Sequence, residues 1–147
     1  MLKTISIVQI FGGILGMSAL ANSEKSEGTL LVLSLSFFLF CFSILCGGLL
    51  LLYRRKDIVV LTKVNQVLQI IGFSIIGVGS FNYDSGIYFS IGLDLVNEIL
   101  FLFNFGISSN FTFEISSTTS GNFLTLNLIP LLIYLFLNKR EPNEDAN

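Results

Sequence analysis

The chain has 147 residues, of which 52% are hydrophobic and only 12% are charged, against about 25% charged in a typical soluble domain. This composition predicts a single membrane domain with little structure outside the bilayer. The chain lacks histidine, the usual general base and commonest metal ligand, and its net charge of −2 gives no electrostatic basis for nucleic-acid binding.

Two long apolar runs, residues 4–21 and 29–53, begin the chain, and each is long enough to cross a bilayer as a helix. The first run follows Lys3 and ends in an A-x-A pattern, which is also typical of a secretory signal peptide. Gln9 within it favours a helix that packs against a neighbour instead. Small residues suited to such packing recur in both runs: Gly12, Gly16, Ser43 and Gly47.

Residues 58–81 form the third predicted span, which is unusually polar on one side. Lys63 is its only charged residue and lies near the cytoplasmic interface, where its ammonium group can reach water. The polar stripe comprises three amides, with two glycines along the same side: Asn65, Gln66 and Gln69, then Gly72 and Gly79. Such a stripe is too polar for lipid, so it predicts either contacts between helices or the lining of a pore.

The fourth predicted span, residues 123–137, is short and contains Pro130, which predicts a kink. The basic loop between the second and third spans is predicted to be cytoplasmic, because positive charges favour that side of a membrane. It consists of Arg54, Arg55 and Lys56. Four spans then give N-in and C-in topology in an inner or plasma membrane, with a cytoplasmic tail of residues 138–147.

The outer loop, residues 82–122, is too long for a simple turn and predicts structure of its own. Residues 89–95 and 111–116 alternate between apolar and small or polar side chains, which is typical of half-buried strands. With residues 99–107 between them, and a turn at Ser109-Asn110, they predict an antiparallel meander of about three strands.

Two alternatives exist for this loop. Residues 87–107 are long enough for a fifth transmembrane helix, but Asp94 would then lie in or near the hydrocarbon core at a cost of about 2.5–3.5 kcal/mol. Residues 93–103 would alternatively form an interfacial helix, since Asp94, Asn97 and Glu98 share one helical face.

The predicted fold is a membrane all-α bundle of four transmembrane helices with a small β-rich outer loop. No catalytic, cofactor or metal residues are predicted, since Cys41 and Cys46 are separated around a helix and no span contains an acid. We therefore expect a non-enzymatic oligomeric scaffold, sensor or anchor subunit. Its expected partners are the lipid bilayer, further copies of itself and a cytoplasmic protein.

Two alternative functions follow from the same residues. The third-span amides would line the pore of an oligomeric channel if they face water. In topology alone, the predicted layout resembles that of membrane subunits of multi-protein prokaryotic systems, such as the anti-phage system Kiwa.

Overall fold

The computed structural model describes residues 1–22, 30–53, 55–94, 100–115 and 121–139. Predictions made for Arg54, for the remainder of the outer loop (95–99 and 116–120) and for the tail from residue 140 lie outside the described residues. In chain order the elements are α1 (Leu2–Asn22), α2 (Leu30–Leu52), α3 (Lys56–Ile70), β1 (Ile71–Ile75), β2 (Gly79–Asp94), β3 (Leu100–Ile115), β4 (Phe123–Asn127) and α4 (Leu128–Asn138).

The predicted four-helix transmembrane bundle is wrong. The described residues contain four helices, but these share the fold with a four-stranded antiparallel sheet, and two of them are long and apolar enough to cross a membrane. These two are α1 and α2, which correspond to the first two predicted spans.

The third predicted span changes from helix to strand halfway along its length. α3 ends at Ile70, and β1 follows with alternate residues buried, since Gly72 and Ser74 face inward. Gly77 and Gly79 have positive φ angles of 79° and 143°, which are accessible mainly to glycine, and they form the turn into β2. Burial alternates every two residues, and the glycines allow a turn. These two features therefore favour a strand and a turn over a continuous helix, although the segment is apolar.

The fourth predicted span also divides, into β4 and the short helix α4. With 11 residues, α4 is about 16 Å long, roughly half the thickness of a bilayer core. Asn127 caps the helix by accepting a hydrogen bond from the Ile129 backbone N–H at 3.3 Å. Pro130 lies in the first turn, where a missing N–H group is tolerated, so the proline interrupts no helical hydrogen bond.

The sheet contains one long hairpin and a small closed ring of strands. β2 and β3 pair over their full length, from Gly79 opposite Ile115 to Asp94 opposite Leu100. β1 pairs with β4 and with the start of β2, while β4 pairs with the end of β2, so these three strands enclose a polar interior. β3 is the outer strand of the sheet.

The predicted outer-loop meander is therefore incorrect in its strand boundaries. Ser109-Asn110, predicted as a turn, lies within β3, and the hairpin has two strands of 16 residues rather than about three shorter ones. Neither helical alternative occurs in the described residues of this region, because 87–94 and 100–107 are both in strands. The long ladder of hydrogen bonds between β2 and β3 pairs backbone N–H and C=O groups that a turn at Ser109-Asn110 would have left without partners.

The two long helices pack as an antiparallel pair through small residues. Gly16 lies against the ring of Phe40, and Gly47 lies against the backbone of Ser6. At one end of the molecule, an apolar cluster joins all four helices through Ile5, Leu50, Ile58 and Leu137. The start of α1, the end of α2, the start of α3 and the end of α4 consequently meet at that end.

Two adjacent glycines of α2 give a test of this packing. A methyl group at Gly47 would lie 2.7 Å from the carbonyl oxygen of Ser6, whereas one at Gly48 would meet nothing within 4 Å. We expect Gly47→Ala to lower the free energy of unfolding by about 1–3 kcal/mol through overpacking. Gly48→Ala, the matched control, should raise it by up to about 1 kcal/mol because alanine favours helix. Thermal unfolding in detergent measures both; equal effects would contradict the packing.

Candidate functional site

The centre of the molecule is polar, and the Ser43 hydroxyl lies at its middle. Ser43 Oγ donates to the Gln9 carbonyl oxygen at 3.1 Å and lies 3.1 Å from Ser85 Oγ. Asn65 Nδ2 donates to Ser43 Oγ at 3.3 Å. One side chain of α2 thereby links α1, α3 and β2.

Tyr83 extends this network towards the N-terminal end of α2. Its ring is 1% exposed and packs against Phe40 and Phe111. Its hydroxyl donates to the Leu39 carbonyl oxygen at 3.0 Å and lies 3.4 Å from Asn65 Oδ1. Burial raises the pKa of this phenol, so the hydroxyl keeps its proton and acts as a donor.

The predicted polar stripe of the third span faces the protein interior. All three amides are buried, and two of them have hydrogen-bond partners on other elements: Asn65 with Ser43, and Gln69 Oε1 with the Ser85 backbone N–H at 3.2 Å. Gln66 is buried beside them at 2% exposure. The structure thus places the stripe against α2 and β2.

The strand ring contains a second polar group, which is built around Asp84. Asn82 and Asp84 are two residues apart on β2 and so lie on the same face of the strand. Asn82 Nδ2 donates to Asp84 Oδ2 at 3.0 Å. From the last residue of β4, Asn127 Nδ2 donates to Asp84 Oδ1 at 3.1 Å. Each carboxylate oxygen therefore accepts one amide N–H.

The orientation of the Asn127 amide is fixed by the backbone. Asn127 Oδ1 accepts hydrogen bonds from the N–H groups of Phe89, at 3.2 Å, and Ile129, at 3.3 Å. Because two donors hold this oxygen, the Asn127 nitrogen must face Asp84. The end of β4 and the start of α4 together position the group that binds the carboxylate.

A cavity of about 400 Å³ lies beside the Asp84 carboxylate. This volume is at the lower end of the range of about 300–1,000 Å³ found for ligand pockets. Gly72 keeps the space open, since a methyl group there would lie 2.5 Å from Asn82 Oδ1. The cavity is lined by polar side chains with an apolar wall: Gln69, Asn82, Asp84, Ser90, Asn104, Thr125 and Asn127, with Leu102, Phe103 and Phe123.

One donor at this cavity has no hydrogen-bond partner among the described residues. Gln69 is 5% exposed, and its Nε2 atom is buried without a hydrogen bond. Its Oε1 atom is held by Ser85, so the nitrogen is the free end of the amide. The cavity thus presents a carboxylate acceptor and an unsatisfied N–H donor, both of which favour a polar ligand.

Burial raises the pKa of Asp84, although the hydrogen bonds from Asn82 and Asn127 oppose this shift. Among the described residues, no lysine or arginine forms an ion pair with it; the ion pair found joins Arg55 to Asp57 at 3.5 Å, on the surface. The part of the chain that the structure describes also contains no group of three His, Cys, Asp or Glu side chains for a metal.

The other predicted site residues have varied positions. Gly12 lies against the backbone of Ser85 and Gly86, so it brings a strand rather than a helix close to α1. Gly72 and Gly79, predicted to pack helices, lie in β1 and β2 because the third span is not continuous. In the basic loop, Arg55 and Lys56 are at the start of α3. No pattern in the sequence groups Asp84 with Asn82 and Asn127.

The raised pKa of Asp84 predicts a pH-dependent stability. The folded protein holds this proton at pH values where the unfolded chain has lost it. The resulting stabilisation is fully present below the ordinary carboxyl pKa and is lost as pH rises through the raised value. We expect the melting temperature of the wild type, relative to Asp84→Asn, to fall as the pH is raised over a range that begins at the ordinary carboxyl pKa of about 4. A constant difference in thermal unfolding over that range would contradict the burial of a titrating carboxyl.

Comparisons with known proteins give no relative from which a function can be transferred. No protein family, curated protein or solved structure matches this chain. The chemistry of its own residues, above all the Asp84 cavity and the apolar surface of the long helices, is therefore what indicates its function.

Proposed function

We propose that this protein is a non-enzymatic membrane sensor whose cavity beside Asp84 binds a small protonated amine. The observation that carries the proposal is a half-buried carboxylate that is held by two amides and has no cationic partner among the described residues. A carboxylate that has lost much of its contact with water is costly unless a positive charge or a proton compensates it. A bound ammonium ion supplies that charge.

Membrane embedding through α1 and α2 is supported by which of their side chains are exposed. Only 33% of the most apolar window of each helix is buried, whereas the core helix of a soluble protein is mostly buried. Their buried positions are largely small or polar, including Ser6, Gln9 and Ser43. Large apolar side chains cover the outside, including Ile7, Phe11, Ile14, Phe37, Phe38 and Leu45. This arrangement is typical of helices that pack through small residues in lipid.

The charge distribution supports an orientation for this pair of helices. The apolar cluster formed by Ile5, Leu50, Ile58 and Leu137 brings four helix ends together. Lys3, Lys56 and Lys139 are close in sequence to members of that cluster, so positive charge collects at this end. By the positive-inside rule, this end belongs on the cytoplasmic side.

The ligand class follows from the donors and acceptors at the cavity. The Asp84 carboxylate accepts hydrogen bonds and attracts positive charge, whereas the Gln69 Nε2 atom requires an acceptor. A metal ion would satisfy the carboxylate but would be repelled by the amide N–H. A protonated amine with a neighbouring hydroxyl or carboxyl oxygen satisfies both groups, and Phe103 and Phe123 accommodate its carbon atoms.

The earlier alternatives receive less support from specific contacts. A channel lined by the third-span amides requires them to face water, but Asn65 and Gln69 form hydrogen bonds with Ser43 and Ser85 inside the fold. A role as one subunit of a multi-protein prokaryotic system, scaffold or anchor would be compatible with a ligand sensor, and no described contact favours it separately. Catalysis is not proposed, because Asp84 is the one acidic or basic side chain among the described lining residues, and the Ser90 and Thr125 hydroxyls have no second titratable group beside them.

Ethanolamine is a suitable probe for the site, because it combines an ammonium group with a hydroxyl oxygen. Binding to the detergent-solubilised full-length protein is measured by isothermal titration calorimetry, with ethylene glycol as an uncharged ligand of the same size. We expect ethanolamine to bind and ethylene glycol not to bind. In Asp84→Asn, the affinity should fall roughly ten- to hundredfold, the value of a charge-assisted hydrogen bond of about 1.5–3 kcal/mol.

The matched control is Asp94→Asn, which makes the same chemical change on the same strand at a residue that does not line the cavity. Its affinity for ethanolamine should equal that of the wild type. Equal binding of ethylene glycol and ethanolamine, or an unchanged affinity in Asp84→Asn, would refute a charge-selective site.

A further inference from the structure

The outer edge of β3 lacks a strand partner in the described part of the chain. β3 pairs with β2 along all 16 of its residues, and none of its backbone groups forms a backbone hydrogen bond on the other side. The strand contains no lysine, arginine or proline, and its only charged residue is Glu114, near one end. Natural sheet edges are usually protected by such residues or by a bulge, so an unprotected edge of this length favours pairing.

The same strand carries an exposed apolar stripe. Phe101, Phe103, Phe105 and Ile107 lie on one face and are 74%, 73%, 69% and 60% exposed. The polar face of the strand, which carries Asn104 and Ser108, points the other way. A partner for this edge therefore has to offer both free backbone groups and an apolar face on the same side.

The position of the sheet makes an open edge more costly. A side chain at Gly12, the middle residue of α1, would meet the backbone of Ser85 and Gly86, and Ser109 Oγ donates to the Gly12 carbonyl oxygen at 2.5 Å. If α1 spans the membrane, as the proposed function requires, β3 is beside the middle of that span. Lipid chains cannot form hydrogen bonds with its backbone, so an unpaired edge there costs several kcal/mol for each exposed group.

We propose that β3 pairs with β3 of a second copy of this chain, antiparallel, around a twofold axis at Asn104. The apolar stripe is symmetric about this residue, with two members before it and two after it. In this register, Phe103 lies opposite Phe105 of the partner subunit, and Phe101 lies opposite Ile107 of the partner subunit. Asn104 faces its own copy across the axis, where two amides can form hydrogen bonds with each other.

The exposed stripe gives each copy an apolar surface beside its open edge. At about 200 Å² for a buried aromatic side chain, the exposed parts of the stripe total roughly 500 Å² per copy. Strands that pair edge to edge cover the sides of these rings that face the partner strand and leave their outer faces open. The cross-strand side-chain contacts therefore add to the backbone pairing over residues 100–108.

This dimer would also adjoin the proposed ligand site, because Asn104 lines the Asp84 cavity. Pairing at the axis brings Asn104 of the partner subunit close to the same rim. The two cavities of the dimer would then be neighbours on the polar side of a continuous sheet.

Disulfide trapping tests the register. In a Cys41→Ala, Cys46→Ala background, Asn104→Cys places two thiols on directly opposite residues. Cα atoms of such pairs are about 4.5–5.5 Å apart, within the range for a disulfide. Mild oxidation of the protein in its native membrane should give a disulfide-linked dimer on a non-reducing gel.

Ser108→Cys is the matched control, because it is exposed on the same face of β3 but four residues from the axis. Its two copies would be about 27 Å apart in the proposed register, so it should stay monomeric on the gel. Crosslinking of Ser108→Cys without Asn104→Cys would refute this register, and crosslinking of neither variant would refute the dimer.

A second measurement keeps the two proposals separable. Phe101→Lys with Phe105→Lys, two stripe residues that do not line the Asp84 cavity, places four positive charges at the interface of two copies, and it should convert the dimer to monomer in light scattering of the detergent complex. A dimer that persists unchanged would overturn the role of β3. Ethanolamine binding reports the Asp84 site independently, so failure of the dimer leaves the sensor proposal intact, and the reverse also holds.

Discussion

The hydrogen-bond network around Ser43 is the interaction on which the rest of the structure depends. A hydroxyl at the centre of α2 contacts α1, α3 and β2, and Tyr83 continues the network to Leu39. These polar groups are buried and cannot reach water, so each one must have a partner. The elements are consequently held in one arrangement, while large apolar side chains cover the outside. The sheet packs against α1 at Gly12, because a side chain at this position would meet the backbone of Ser85 and Gly86.

The sequence predicted the long helices well and the later elements poorly. Apolar length identifies α1 and α2, because no other helix in the described residues is long and apolar enough to cross a membrane. The same criterion fails for residues 58–81, where hydropathy continues but the period changes from about four to two at Ile71. Gly77 and Gly79 mark the turn, and the alternation in Phe123–Asn127 marks β4. Both signals were visible but were outweighed by the expectation of a helix long enough to span a bilayer.

The candidate site was largely unpredictable for a different reason. Its residues come from α3, β2, β3 and β4, and Asp84 is 43 residues from Asn127, the residue that binds it. No local spacing indicates that these side chains meet, because the closure of β1, β2 and β4 brings them together. Gln69 was identified as a polar residue that must face protein or water, which follows from its burial cost. Its free nitrogen depends on Ser85, which only the strand pairing places nearby.

The Ser43 network also constrains the order in which the chain can mature. The ribosome releases α1 and α2 first, and they can associate through their glycines at once. The Ser43 hydroxyl then lacks two of its contacts until Asn65 and Ser85 have been synthesised and folded onto it. During that interval Ser43 is joined to α1 through the Gln9 carbonyl oxygen but not yet to α3 or β2. Folding of β2 onto the helical hairpin is thus the step that completes the hydrogen bonds of this hydroxyl.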